Sequence, residues 1–301
     1  MSSRPIYLSA QRRYIAFCKK DLKTAPDSSA LPADEKTLMR FCTMLADSMD
    51  YSWIKISLFA VRSLHIDNGL PDPFINCLQL QQLVRGIKHA KNRRSPARLF
   101  ITLEIMRAIH QSLDFSEQDN VMFWAACCLG YFGFLRIGEF TVNSSFNPDI
   151  HMTVSDIEAD SEVNPTFFKV HIKCSKEDPF RKECHIYVGR GDTTICPFVA
   201  ISNYLEVRGS VSGPLFLNRD GSPLSKQKLS CTVQSILHST GLLPPGKRSG
   251  CSFRSGAATT ASTRGLPGDL IKTLCRRSID AYEAYSRTPV ISILRVTSQL
   301  V

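Results

Sequence analysis

Two arginines, a lysine and a late tyrosine, drawn from four well-separated stretches, are the residue types needed to hold and attack a phosphate. Arg136 lies in Gly133-Phe134-Leu135-Arg136-Ile137-Gly138-Glu139, and Lys176 in Cys174-Ser175-Lys176-Glu177-Asp178-Pro179-Phe180. Arg254 stands in the small-residue run Ser252-Phe253-Arg254-Ser255-Gly256-Ala257-Ala258-Thr259-Thr260. Tyr285 closes Asp280-Ala281-Tyr282-Glu283-Ala284-Tyr285, just before Arg287-Thr288-Pro289. A guanidinium keeps its charge and offers a planar fork that matches phosphate oxygens. Two of them can grip the non-bridging oxygens and stabilise the extra charge of a pentacoordinate transition state. A phenol can then attack phosphorus and form a covalent link, while a lysine near the leaving oxygen donates a proton. Such a set would cut a DNA backbone without a metal. Read singly, each residue has a plainer role. Arg136 can pair with Glu139, Arg254 can sit on a solvated helix face, Lys173 and Lys182 compete with Lys176, and Tyr282 competes with Tyr285.

The charge balance agrees with a polyanionic partner. The chain has 301 residues, a formal net charge of +10 and 43% hydrophobic residues. That length and apolar content support two domains with real cores, and the basic excess favours nucleic acid. Eleven cysteines without repeated spacing read as reduced thiols of the cytosol or nucleus, not as a secreted disulfide framework. No Cys-x-x-Cys pair occurs, so a structural zinc is not expected, and the metal-free chemistry of the arginine, lysine and tyrosine set calls for no cofactor. No signal peptide or membrane-spanning run is expected.

The elements that must position this set read as mainly α with a small β-sheet. Leu38, Phe41, Cys42 and Leu45 mark one helical face, and Ile54, Leu58, Val61 and Leu64 another. A further helix is expected from about Ile75 to His89, giving a small bundle. The basic segment of Arg85, Lys88, Lys91, Arg93, Arg94 and Arg98 fits an exposed linker lying along a phosphate backbone. Ser116-Glu117-Gln118-Asp119 predicts a capping box before an apolar helix that leads to Arg136. The period then changes. Phe167 to Ile172 and Cys184 to Val188 read as strands flanking the hairpin of Lys176. Helices are expected over Cys196 to Val207, Ser225 to Ser239, Phe253 to Arg264, Gly268 to Leu274 and in a short stretch ending at Tyr285.

Four stretches, in order, resemble the boxes of the tyrosine recombinase/integrase family. Leu129 to Glu139 resembles the first-arginine box, Ser175 to Arg181 the β-hairpin lysine segment, Ser252 to Thr259 the second-arginine box, and Ala281 to Pro289 the nucleophile box. The nearest flavour is that of eukaryotic DIRS-type and Crypton mobile elements. The resemblance implies a helical, SAM-like core-binding domain over residues 1–95 and a catalytic domain over 96–301. It implies a DNA strand transferase in which Tyr285 forms a 3′-phosphotyrosine, Arg136 and Arg254 hold the phosphate, and Lys176 protonates the 5′-oxygen. It also implies double-stranded DNA as partner and a homo-tetramer on that DNA. Val290 to Val301 is the candidate arm that docks on a neighbour, and the nucleus is the expected location.

Two positions depart from the family pattern. Where the family has histidine three residues before the second arginine, this chain has Cys251, and a thiol is a poor donor. Where the family favours His or Trp near the start of the last box, this chain has Arg277. These departures predict weakened chemistry or, as the rival, an inactive DNA-binding domain derived from a recombinase. A type IB topoisomerase shares the chemistry but acts as a monomer. Gly241-Leu242-Leu243-Pro244-Pro245-Gly246-Lys247-Arg248 nearly spells a nucleotide-binding loop. Arg248 takes the Ser/Thr place, however, and a helix is expected before it, so Lys247 and Arg248 are assigned to DNA. Asp156, Glu158, Asp160 and Glu162 read as a solvated acidic loop.

Overall fold

The computed structural model describes residues 4–21, 30–91, 99–174, 184–191, 194–243, 251–276, 285 and 288–300. Lys176, Arg277, Arg93, Arg94, Lys247 and Arg248 lie outside the described residues, as do the rivals Lys182 and Tyr282. The chain divides into two compact units, Met1–Ser95 and Pro96–Val301.

Among the described residues the first unit has four helices: α1 (Arg4–Asp21), α2 (Glu35–Ser48), α3 (Tyr51–Asp67) and α4 (Leu78–Ala90). Asp34 caps α2 by accepting from the Thr37 amide at 2.7 Å. Leu38, Phe41, Cys42 and Leu45 then fall on one buried face at helical spacing. They meet Tyr14, Phe17 and Cys18 of α1 and Ile54, Leu58 and Val61 of α3 in one core. His65 ties the bundle together from inside. Its Nδ1–H donates to the Val61 carbonyl, and its Nε2 accepts from the Ala33 amide, each at 2.8 Å. The last helix starts three residues later than the apolar pattern predicts. Ile75 and Leu78 are exposed, and the helix begins where Glu35 of α2 accepts from the Leu80 amide at 3.0 Å.

The second unit is α+β. Its order is β1 (Leu99–Phe100), α5 (Leu103–Gln111), α6 (Gln118–Phe132), α7 (Ile137–Phe140), β2 (Ile157–Ala159), β3 (Phe167–Ile172), β4 (Cys184–Gly189), α8 (Pro197–Arg208), α9 (Lys226–Ser239), β5 (Cys251–Ser252), α10 (Phe253–Thr263), α11 (Gly268–Cys275) and, in the numbering used here, α12 (Val290–Leu300). Every residue of α6 from Met122 to Phe132 is buried, which makes it the central post of the core. The expected capping box before it does not form. Ser116 is drawn back to Asp114, whose Oδ1 takes both its amide and its hydroxyl, at 3.0 and 2.8 Å. Asp119 instead accepts from the Arg219 amide at 2.6 Å.

Strands β2, β3 and β4 form an antiparallel sheet in that order, so among the described residues β4 is an edge. The pairs Lys169↔Tyr187 and His171↔His185 fix its register. One expectation fails here. Asp156 is not part of a solvated loop: it is buried and bonded to Lys173 Nζ at 2.6 Å. The reason is position, because Asp156 ends a 3-10 turn whose N-cap Thr153 amide it also accepts, at 2.7 Å.

The sequence pattern did not announce β1 and β5, two parallel two-residue strands pairing Leu99 with Cys251 and Phe100 with Ser252. They set the start of α10, and Gly256 makes the fit possible. A methyl group there would overlap the backbone carbonyl of Ile101. Gly256→Ala is therefore expected to destabilise the unit by about 1–3 kcal/mol. An unchanged denaturation midpoint would show that β1 can move aside.

Candidate active site

Arg136 and Arg254 converge because two local structures aim them at one carboxylate. The chain leaves α6 through Gly133, where a side chain would meet Leu129 O at 2.6 Å and Ile186 Cδ1 at 2.7 Å. Phe134 follows in the left-handed region, at φ +50°, a conformation that costs a non-glycine residue on the order of 1 kcal/mol or more. That turn points the Phe134 carbonyl at Arg254, whose Nε donates to it at 2.7 Å. Arg136 is the N-cap of α7, and its amide donates to Glu139 Oε2 at 2.9 Å.

Glu139 is the hub. Its carboxylate takes Arg254 Nη2 at 2.9 and 2.8 Å, Arg136 Nη1 at 3.5 Å and Arg276 Nη2 at 3.6 Å. The plain pairing of Arg136 with Glu139 is real, but it is one spoke of a larger wheel. Burial would raise the Glu139 pKa, yet Arg254, Arg276 and Arg136 outweigh it and hold the carboxyl below its ordinary value. Arg254 is not on a solvated face; it is 5% exposed. Burial, helped by Arg276 and Arg136 and opposed by Glu139, pushes its pKa down to about 10, so it stays charged at neutral pH. Its Nη1 is buried and has no hydrogen-bond partner among the described residues. An unmet donor on a buried cation is costly unless an anion meets it. The first turn of α10, which carries Arg254, adds the positive end of a helix dipole.

Tyr285 is 3% exposed. Its hydroxyl accepts from the Tyr187 amide at 3.1 Å, and its ring lies 5.6 Å from the Arg276 guanidinium carbon. Burial drives the phenol well above its ordinary pKa, against the opposing pull of Arg276 and the Tyr187 amide. In this state the oxygen is held against the edge of β4. A little further along that edge, Thr297 of α12 takes the Gly189 amide at 3.3 Å. The segment proposed as an arm for a neighbour thus packs, as α12, on its own β4 and α10. Its apolar residues Ile293 and Val296 join the core there.

The remaining sequence-derived candidates fall into different places. Cys251 is half-buried on β5, its thiol bonded to Gln234 and its pKa pushed up to about 11 by burial. It remains a neutral thiol and does not substitute for an imidazolium. Lys173 is removed as a rival acid, since its ammonium is held by Asp156 at 2.6 Å, Pro148 O at 2.9 Å and Thr153 Oγ1 at 3.2 Å. Lys88 is exposed in the last turn of α4. Lys91 is partly committed to the end of α2, donating to Met49 O at 2.7 Å. Sequence reading passed over Arg276, Phe134 and Tyr187. Glu139, three residues after Arg136, carried a usable signal in its capping-box spacing.

Neither a protein-family model nor a curated protein matches the sequence. Solved structures do match in fold. The chain is similar to XerH site-specific recombinase in a pre-cleavage complex with difH substrate, with a TM-score of 0.57 and 14% identity over 93% of this chain and 74% of that one. It is similar to a lambda integrase (75–356) dimer bound to a COC′ core site, with a TM-score of 0.55 and 16% identity over 94% and 93% of the two chains. It is also similar to the Tn1549 transposon integrase in complex with transposon right end DNA, with a TM-score of 0.55 and 11% identity over 99% and 95%. At these identities the likeness establishes the fold, that of the tyrosine recombinases.

Proposed function

We propose that the protein cuts and rejoins double-stranded DNA through a 3′-phosphotyrosine intermediate, in site-specific recombination or integration of a mobile element. The observation that carries this reading is the buried, partnerless Nη1 of Arg254, set where three guanidinium groups share a single carboxylate. Among the described residues that cluster holds excess positive charge, and a phosphodiester supplies the missing anion. Arg136, the most exposed of the three, and Arg254 grip the non-bridging oxygens. Tyr285 leaves the Tyr187 amide, gives its proton to solvent and bonds to phosphorus as the bond from phosphorus to the 5′-oxygen breaks, while Lys176 gives that departing oxygen a proton. A 5′-hydroxyl from another strand reverses the step. No metal or nucleotide enters. The solved recombinases on DNA, some as dimers and tetramers, support an assembly of several copies on DNA. Lys88, Arg93, Arg94, Lys247 and Arg248 are assigned to the backbone of that DNA, and the nucleus is the proposed site of action.

The test is a nicked suicide duplex, in which loss of a short 5′ fragment prevents religation, followed by denaturing electrophoresis. A protein-linked strand is expected. Cys251 favours a second reading, DNA binding with little or no cleavage, because a neutral thiol there cannot supply the proton donor the family pattern has. The two readings separate on one variant. Cys251→His is expected to raise adduct formation about tenfold or more if an acid is the missing part. An inactive module would bind the duplex, with affinity falling as salt rises, and give no adduct in either form.

A further inference from the structure

We propose that Arg276 is a positioning residue for the attack by Tyr285: it ties the nucleophile's ring to the turn and the carboxylate that orient the phosphate grip. This rests on the proposed phosphotyrosine chemistry and adds a part to it. Arg276 follows α11 in the left-handed region, at φ +46°. A non-glycine side chain there is disfavoured, and a helix end needs no arginine at that place. The side chain nonetheless turns inward and is 3% exposed. It closes the end of α11, its Nη1 donating to the Leu274 carbonyl at 3.3 Å, and it also touches three things away from that end. Its Nη1 and Nη2 donate to the Gly133 carbonyl at 3.4 and 3.5 Å and Nη2 to the Phe134 carbonyl at 3.3 Å. Its Nη2 lies 3.6 Å from Glu139 Oε2. Its guanidinium faces the Tyr285 ring.

The Phe134 carbonyl is the one that also receives Arg254 Nε, so Arg276 and Arg254 share an acceptor as well as a carboxylate. A side chain that only closed the end of α11 would need none of these contacts. The carbonyl bonds are long for N–H···O, so hydrogen bonding alone does not account for burying a cation here. Charge does: the guanidinium is placed between a carboxylate and the face of an aromatic ring, where both attract it. The other titratable groups near the phenol are Cys184 and Tyr187, which disfavour its anion. The residues of α12 that line the small cavity beside it are the uncharged Ile293, Val296 and Thr297. Among the described groups, Arg276 is thus the cation that favours the phenolate.

The experiment uses the full chain as wild type, Arg276→Gln and Arg276→Lys. Adduct formation on the nicked duplex is followed across pH, with DNA affinity and hydrogen exchange at the Tyr187 amide as separate readouts. Arg276→Gln is expected to slow adduct formation about 100-fold, the size of effect that follows when a reacting group is misplaced by about 1 Å. Its pH profile should move to higher pH, because the phenol loses the cation that favours its anion. DNA affinity should fall far less than the rate, since Arg136 and Arg254 keep the phosphate grip, and the Tyr187 amide should exchange faster as the Tyr285 ring comes free. Arg276→Lys should bring the pH profile back while recovering only part of the rate, since an ammonium lacks the fork. Equal rate losses in both variants with an unmoved pH profile would reduce Arg276 to a helix-end anchor. Unchanged Tyr187 exchange in Arg276→Gln would also overturn the proposal, even if the wild type formed no adduct. Absence of an adduct in the wild type, with exchange accelerated in the variant, would instead count against the phosphotyrosine reading and leave the positioning intact.

Discussion

Tyr285→Phe is expected to abolish the protein–DNA adduct, a loss of about 10⁴-fold or more, as when an enzyme's nucleophile is removed. DNA affinity should stay within roughly twofold, because the phosphate contacts that set it are made by cations. The fold should change little. The substitution removes one atom from a buried ring and strips the Tyr187 amide of its partner, a cost of about 1 kcal/mol. The control is direct: covalent strand capture and filter binding on the same preparation. Equal strand cleavage by both forms would transfer the role elsewhere. Equal absence of cleavage, with intact DNA binding, would favour the inactive module.

Arg254→Ala should carry the second-largest effect, and it should act on two levels. Loss of one preorganised donor to a developing charge slows such reactions by about 10²–10³-fold. In the proposed reaction Arg254 Nη1 is that donor, and it is already buried away from solvent in the folded chain. The same change removes the shortest contacts of a carboxylate that is itself buried. Breaking a buried pair from one side costs about 3–5 kcal/mol, although Arg136 and Arg276 remain beside Glu139 to soften the loss. Arg254→Lys separates the two levels. An ammonium restores charge near Glu139 and so recovers stability, but it cannot reach the Phe134 carbonyl, both carboxylate oxygens and a phosphate together. Its adduct rate should therefore stay low at nearly normal melting temperature. A lysine variant with full activity would mean that charge alone, without the fork, suffices.

Part of the candidate site was legible because residue types in local contexts singled it out. Arg136 and Arg254 read as a phosphate grip, and the structure brings them to one carboxylate 115 residues from Arg254 in sequence. The α+β class was legible too, since the period switches from helical to alternating near Phe167, where β3 begins. What stayed hidden was set by tertiary contact. Asp156 looked solvated from its spacing, yet Lys173, just past the end of β3, and the Thr153 amide and hydroxyl make its burial tolerable. The strands β1 and β5 are too short to show a period, and only Gly256 hinted that another backbone approaches α10. Arg276 stood next to a residue that drew attention by family pattern, and nothing in its local sequence says that it turns inward. The left-handed turn at Phe134 has no glycine to announce it; the surrounding core over-determines it.

The state of Tyr285 is the part of the geometry with most consequence for activity. Its oxygen rests on the β4 edge amide, next to the place where α12 covers the same edge. An edge strand leaves its outward donors to be met by something, and here two hydroxyls meet them. In the proposed reaction the phenol must exchange that amide for phosphorus, so the contact would belong to the reaction barrier.

Peptide mapping of the trapped DNA adduct by mass spectrometry tests the central claim most directly. A phosphodiester link to the Tyr285 oxygen, at the 3′ end of the cut strand, is the predicted result. A link through Tyr282 or another side chain, or a cut strand with a free 3′ end and no bound peptide, would contradict it.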